Sequence, residues 1–365
     1  MKISTKNIKL FDPNIGIAEE RAIQKTLHSH FWASGAGTNS VQKFEQEFKK
    51  YVNSKNCVAV NSGTAALNLA LSLVDIKNKE VIVPSLTFVS TVNAIKFNQG
   101  IPIFVDVEPE TGCLSTKSLK NLISKKTKVI LPVHFGGMPC NLREIMNICK
   151  NYNLHLIEDA AHAAGSDFRK KKIGSHGDFV CFSFHPVKNL AMPTGGLISL
   201  NNSSFKKSRE ILESRRWCGI TERKKGSYDV KELADNYYMN EFSASLGIVQ
   251  LKKLDKMNSI RKKIAQKYFK NINTETKMPF NHDCSYHLYW IMVKHRTKFM
   301  KKMNEIGIEV GIHYKPVHKM TLYKNSKKLP ITENMGEHIV SLPIHPNLIE
   351  SDIEKIIHNV NKFLD

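Results

Sequence analysis

The sequence is short of the features that mark membrane, secreted or nucleic-acid-binding chains. Its seven cysteines, an odd number spread from Cys57 to Cys284, include no CxxC pair. That spread argues against a disulfide framework or a zinc site and fits a reducing compartment. No apolar run approaches the ~18 residues of a membrane-spanning helix. The opening MKISTKNIKLF lacks the apolar core of a secretory signal. A cytoplasmic location and no membrane partner are therefore expected. Acidic residues are the scarce charge, with 33 Asp+Glu against 54 Lys+Arg and a net charge of +21. The bases lie in short clusters such as Lys125-Lys126, Lys170–Lys172, Lys224-Lys225 and Lys327-Lys328, with no basic tail or arm. No nucleic-acid partner is expected from that pattern, while a basic surplus suits anionic small substrates.

Repeats, low-complexity segments and Pro- or Ser-rich linkers are also missing. What is present is alternation. Strand-like runs occur at Val58–Val60, Val81–Val83, Ile101–Val105, Val129–Val133, Leu154–Ile157, Phe179–Phe184 and Leu197–Leu200. Helical patterns at Ala65–Leu73, Val89–Phe97 and Leu142–Cys149 lie between several of them. This alternation predicts an α/β fold with a mostly parallel sheet flanked by helices. From Glu241 to about Phe269 the pattern is one long amphipathic helix, followed by a smaller mixed region. The expected division is a large α/β domain over residues 1–245, then the linking helix and a small C-terminal α+β domain over 246–365. A chain of 365 residues can bury a core in each.

One lysine is out of place. Most lysines sit in polar company such as Arg169-Lys170-Lys171-Lys172, but Lys188 stands in CFSFHPVKNLAMPTGGLISL, between apolar stretches. A loop lysine can reach solvent along its stem. Burial instead lowers its pKa and makes it a nucleophile able to form a Schiff base. Pyridoxal 5'-phosphate (PLP) is the obvious partner, and it requires a phosphate cradle, an acid at the ring nitrogen and a flat stacking group.

The chain offers a candidate for each. Asn61-Ser62-Gly63-Thr64-Ala65-Ala66 joins a strand-like run to a helix, whose N-terminus suits a phosphate as well as it suits an ordinary N-cap. Asp159, at the end of the strand in LHLIEDAAHAAG, can hold a ring proton or cap the next helix. His162 follows three residues on, facing the same cleft or satisfied by backbone. Phe88 in PSLTFVSTVNAI can stack on a ring or belong to the core, and Ser183 can add a hydroxyl to the phosphate site. Their order is specific: Gly-Thr, aromatic, Asp, Ser, Lys, each at a strand end.

That ordered set resembles the DegT-type nucleotide-sugar aminotransferases, a family of fold type I PLP enzymes. The likeness runs over nearly the whole chain, from FWASGAG (31–37) and NSGTAALNLALSL (61–73) through IEDAAHAAGS (157–166) and FSFHPVKN (182–189). It continues to NYYMNEFSASLGIVQLKKLD (236–255), YHLYWIMV (286–293), GIHYKPVH (311–318) and SLPIHP (341–346). The resemblance implies a PLP-dependent aminotransferase with Lys188 as the Schiff-base lysine and Asp159 as partner of the pyridine nitrogen. It implies Phe88 as the stacking ring, His162 beside the cofactor's hydroxyl, and Gly63, Thr64, Ala65 and Ser183 at the phosphate. Asn236 matches an asparagine that reaches the phosphate of the other subunit, which implies a homodimer with shared sites. Ser34, Gly35, His313, Tyr314 and His318 match segments beside the sugar. No metal is implied.

Two positions depart from the family pattern. Ala234-Asp235 replaces the usual Gly-Tyr ahead of Asn236, and Met192-Pro193-Thr194-Gly195-Gly196 replaces a Gly-Glu-Gly-Gly-like run after the lysine. The second departure bears on the substrate side. The implied reaction carries an amino group from L-glutamate or glutamine to a keto group of a nucleotide-linked sugar, in ping-pong fashion, for surface polysaccharide, glycan or antibiotic-sugar synthesis. A PLP-dependent sugar dehydratase or deoxygenase and a non-catalytic PLP-binding regulator are the alternatives. Dehydratase relatives carry histidine where this chain keeps Lys188.

Overall fold

A computed structural model describes residues 7–205, 207–224 and 226–364. The first six residues of the opening segment and Lys225 of one basic pair lie outside them. Seven strands build the central sheet: β1 (Asn56–Val60), β2 (Glu80–Pro84), β3 (Ile101–Val105), β4 (Thr127–Ile130), β5 (His155–Asp159), β6 (Phe179–Ser183) and β7 (Gly196–Leu200). Their order across the sheet is β1-β7-β6-β5-β4-β2-β3. Only β7 runs antiparallel to its neighbours, pairing Ser183 with Gly196 on one side and Val60 with Gly196 on the other.

The near-continuous apolar runs reflect burial on both faces. Val81 and Val83 point into one apolar cluster with Val129, Ile157, Phe179 and Ile198. Ile82 points the other way, with Ile130, Leu156, Val180 and Leu197. This period-2 alternation sends successive side chains to opposite faces, and helices cover both. The Gly63–Ser72 and Val89–Phe97 helices pack against each other and their apolar residues fill the first cluster.

Two strand ends differ from the sequence reading. β4 stops at Ile130, and Val133 makes only an isolated bridge to Asp159. β5 runs on beyond Ile157 through Glu158-Asp159, the two acids expected at its carboxyl end. They stay in the strand because distant groups satisfy them. Glu158 is wholly buried against His134 Nε2 at 2.8 Å, and Asp159 accepts from the Thr91 hydroxyl at 2.8 Å.

The long helix spans Glu241–Asn271, capped by Asn240 Oδ1, which accepts from the Ser243 N–H. It packs on the Ile17–His28 and Ser40–Val52 helices. Beyond it, strands Tyr289–Met292 and Ile339–Leu342 pair antiparallel beside the Arg296–Glu305 and Glu350–Phe363 helices. The helix runs unbroken through residue 245, and the division there is kept as a proposal about two packing units. Residues 311–318 tie the regions together. Gly311 bridges Ser341, while the Val317 N–H donates to Ser85 O at 2.9 Å beside the end of β2. Among the described residues no helix is long and apolar enough to cross a membrane.

Candidate active site

The carboxyl ends of parallel strands are where an α/β sheet leaves room for a ligand. Here a cavity of about 440 Å³ opens at that edge, within the ~300–1,000 Å³ of ordinary ligand sites. Gly63, Thr64, Phe88, Asp159, His162, Ser183, Lys188, His313 and Tyr314 all line it. Nine of the residues singled out from the sequence thus converge on one space.

Each wall has a local cause. Ser62 caps the Gly63–Ser72 helix, its Oγ accepting from the Ala65 N–H at 3.1 Å. Gly63 and Thr64 are first-turn residues, whose N–H groups have no intrahelical partner and sit at the positive end of the helix dipole. Gly63 must be glycine, because a Cβ there would lie 2.6 Å from Ser183 Cβ. Phe88 precedes the Val89–Phe97 helix as its N-cap, and 55% of its surface is open. An aromatic this exposed at a cavity mouth offers a flat apolar face to a ring.

The charges are few and sheltered. Lys188 follows the end of β6 and turns part of its surface to the cavity. Protein packed around its amine lowers its pKa to about 8, against which the Asp159 carboxylate acts in the opposite direction. Asp159 is buried, and that burial raises its pKa; hydrogen bonds from the Ala161 N–H (3.0 Å) and Thr91 hydroxyl work against the rise. A carboxylate so placed gains from a cation brought in beside it.

His162 is buried and held neutral, its pKa lowered well below the usual value by burial and then by the Lys188 charge. Its Nδ1 accepts from the Gly136 N–H at 3.2 Å, so the ring proton sits on Nε2. That N–H donates to Tyr314 Oη at 3.0 Å and leaves the tyrosine proton free to donate into the cavity. His313 is tied by Nδ1 to Ser341 Oγ at 2.9 Å. Burial brings its pKa down to about 4.

The remaining expected site residues do not line this cavity. Ala65 spends its N–H on the helix cap. Asn236 lies in an adjoining depression with Asn240 and Tyr238, which shares Asn61, Ser62 and Thr194 with the main cavity. Gly35 is covered by Trp217, whose indole a Cβ would meet at 1.9 Å, and Ser34 Oγ accepts from the Ala36 N–H. His318 is wholly buried, bonded to Ser85 Oγ at 2.7 Å and Glu333 at 3.3 Å; it anchors its loop to the end of β2. Two residues that the sequence reading missed belong here. Thr91, one turn beyond Phe88, holds Asp159, and its helical spacing was a usable signal. His287 lies 3.4 Å from Lys188 Nζ but 99 residues along the chain, within the YHLYWIMV segment, whose resemblance assigned it no role.

The residues fit PLP. A lysine with a depressed pKa, a buried carboxylate in no contact ion pair among the described residues, a helix N-terminus closed by Gly63 on Ser183 and an open aromatic supply the contacts that the cofactor requires. Among the described residues no cluster of three or more His, Cys, Asp or Glu is placed to hold a metal ion. Comparison with known proteins points the same way. The chain is 33% identical over 367 residues to GDP-perosamine synthase of Escherichia coli O157:H7, covering 98% of this chain and 99% of that protein. The solved structure of PseC, an aminotransferase of pseudoaminic acid biosynthesis from Helicobacter pylori, superposes with a TM-score of 0.92. It is 25% identical, over 98% of this chain and 99% of that one. The PLP form of the putative sugar aminotransferase Spr1654 from Streptococcus pneumoniae gives 0.91 at 27% identity, over 98% and 99%. Residues 13–361 match the DegT/DnrJ/EryC1/StrS aminotransferases, and the chain belongs to that family of PLP-dependent sugar aminotransferases.

Proposed function

We propose that this enzyme transfers the amino group of L-glutamate or glutamine to a keto group of a nucleotide-linked sugar, in two ping-pong half-reactions. Lys188 joins the cofactor aldehyde as a Schiff base between turnovers. The observation that carries the reading is the meeting of Lys188 and Asp159 in one cavity at the strand ends. A relative named for a GDP-linked sugar supports a nucleotide-linked substrate.

Bound there, PLP supplies an electron sink for negative charge developing on the substrate carbon. The chain's own residues do the rest. Asp159 places a negative charge beside the ring nitrogen and so keeps that nitrogen protonated. Gly63 and Thr64 N–H groups hold the phosphate, with Ser183 beside them, and Phe88 covers one ring face. The Tyr314 hydroxyl, aligned by His162 Nε2–H, donates toward the cofactor's oxygen side. Lys188 Nζ, with a pKa of about 8, takes and returns the substrate proton near neutral pH.

Two further parts complete the proposal. Asn236, in the depression adjoining the cavity, contributes to the site of a second copy, so the enzyme works as a homodimer with shared sites. Its seven cysteines are free thiols, which supports a cytoplasmic location.

The test is the visible absorbance of protein supplied with PLP, read before and after L-glutamate. A yellow band that bleaches to the pyridoxamine form is the expected result. A band indifferent to every amine donor would favour a dehydratase or a regulator, and no band would refute Lys188.

A further inference from the structure

Among the described residues His287 is the one side chain bonded to the Lys188 amine, and no part of the reaction outlined above uses it. It is wholly enclosed, with 1% of its surface exposed. Phe11 stacks on its ring at 5.5 Å and 17°, and His162 packs against it at 4.4 Å. These contacts fix the ring plane. Its Nε2 lies 3.4 Å from Lys188 Nζ, a long hydrogen bond. Its Nδ1 is buried with no hydrogen-bond partner among the described residues. A buried histidine with only one nitrogen engaged carries an unmet desolvation cost and is poor design for a purely structural residue.

We propose that His287 is the positioning residue for the released Lys188 amine, holding its ammonium form by accepting an N–H at Nε2; this rests on the assignment of Lys188 above. The proton balance is closed. When Lys188 Nζ takes a proton from the substrate carbon, the amine becomes an ammonium. One of its three N–H groups then lies on His287 Nε2, while the other two face the cavity. No proton passes to His287. Returning the proton to substrate restores the neutral amine, and the lone pair of Nε2 stays free to receive it again. The lysine thus keeps one orientation through both transfers.

The electrostatics agree with an acceptor. Burial holds His287 neutral, with its pKa well below the usual value, and the Lys188, His162, Arg261 and His313 charges act in the same direction. Asp159, Tyr314 and His185 also face the cavity beside the amine, and burial and then the Lys188 charge lower the His185 pKa. With Nε2 the acceptor, the ring proton is on Nδ1.

The test titrates Lys188 itself in cofactor-free protein, from the pH dependence of its labelling by an amine-reactive reagent, read by mass spectrometry of its peptide. The wild-type midpoint is expected near 8, the value burial imposes. His287→Phe keeps the stack on Phe11 but removes the acceptor, and should lower the midpoint by about one pH unit, a tenfold change in basicity. His287→Gln keeps an acceptor and should hold the midpoint within a few tenths. Equal midpoints in all three proteins, or a rise in the phenylalanine variant, overturn the proposal. Borohydride reduction after PLP addition separates the two ideas: a stable adduct on Lys188 with unchanged midpoints refutes His287 alone. An adduct on another lysine refutes the Lys188 assignment and with it this one. Should His287→Phe not fold, His287→Leu, which also lacks an acceptor, replaces it, and a midpoint about one unit below both wild type and His287→Gln supports the acceptor role. A midpoint equal to theirs overturns it.

Discussion

Replacing Asp159 by asparagine should move stability and activity in opposite directions. The carboxylate is buried with 3% of its surface exposed, and burial lifts its pKa above the ordinary 3.8. In cofactor-free protein the native state therefore holds a proton more tightly than the unfolded chain. The penalty is absent below the unfolded value, grows as pH rises through the folded pKa, and is complete above it. Above that folded value the cofactor-free enzyme carries an ionised group that its surroundings disfavour. Asparagine removes the charge and keeps the geometry. Its Oδ1 can still accept from the Ala161 N–H, and Thr91 can turn to accept from the amide because Thr87 lies 2.9 Å away as an alternative partner. Relief of a buried charge, less the weakening of two charge-assisted hydrogen bonds, nets on the order of 1–2 kcal/mol. For a chain of 365 residues the unfolding entropy makes 1 kcal/mol worth about 1.3 °C. A rise in Tm of about 1–3 °C is therefore expected for the cofactor-free variant by calorimetry at pH 7.5. With PLP loaded and Asp159 acting at the ring nitrogen as proposed, the same variant would lose a buried charge pair there, a loss of about 3–5 kcal/mol. At 1.36 kcal/mol per decade this is about 10²–10⁴-fold in kcat for the glutamate half-reaction, followed by stopped-flow absorbance. A lower Tm together with activity within tenfold of wild type would refute the reasoning.

Gly63→Ala puts a Cβ 2.6 Å from Ser183 Cβ and 3.2 Å from its Cα, so the helix N-terminus must retreat from the strand end. Overpacking of this kind costs about 1–3 kcal/mol, and PLP affinity measured by absorbance titration should fall about tenfold or more as the phosphate-facing N–H groups move. Tyr314→Phe removes the acceptor for His162 Nε2–H, a buried donor. The unsatisfied group should lower the Tm of cofactor-free protein by about 1–4 °C, and an unchanged Tm would mean that the hydrogen bond contributes nothing.

Much of the fold was legible because the sheet is buried on both faces. Runs such as Val81-Ile82-Val83 have no polar option, and their alternation between two clusters follows from the pleat alone. The order of Gly63-Thr64, Phe88, Asp159, Ser183 and Lys188 was legible for a related reason. Each sits where an apolar strand ends, and parallel topology brings those ends to one edge. Glu158 and Asp159 were harder to place. Their inclusion in β5 depends on His134 and Thr91, which arrive from other loops and helices.

The substrate-side residues divide differently. Resemblance alone grouped His313, Tyr314 and His318, but they part company in space: the first two line the cavity, whereas His318 turns inward to Ser85. His287 lies within YHLYWIMV, a segment that the resemblance covered without giving this histidine a role. By itself the sequence determined the α/β class and the strand-end set and singled out Lys188 among the lysines, because apolar periodicity and residue order are local properties. Only the tertiary structure decided which distant groups meet that lysine and which acids remain sheltered. Proximity between residues 99 positions apart is set by how the C-terminal pair of strands folds back over the sheet edge, and no local propensity encodes that.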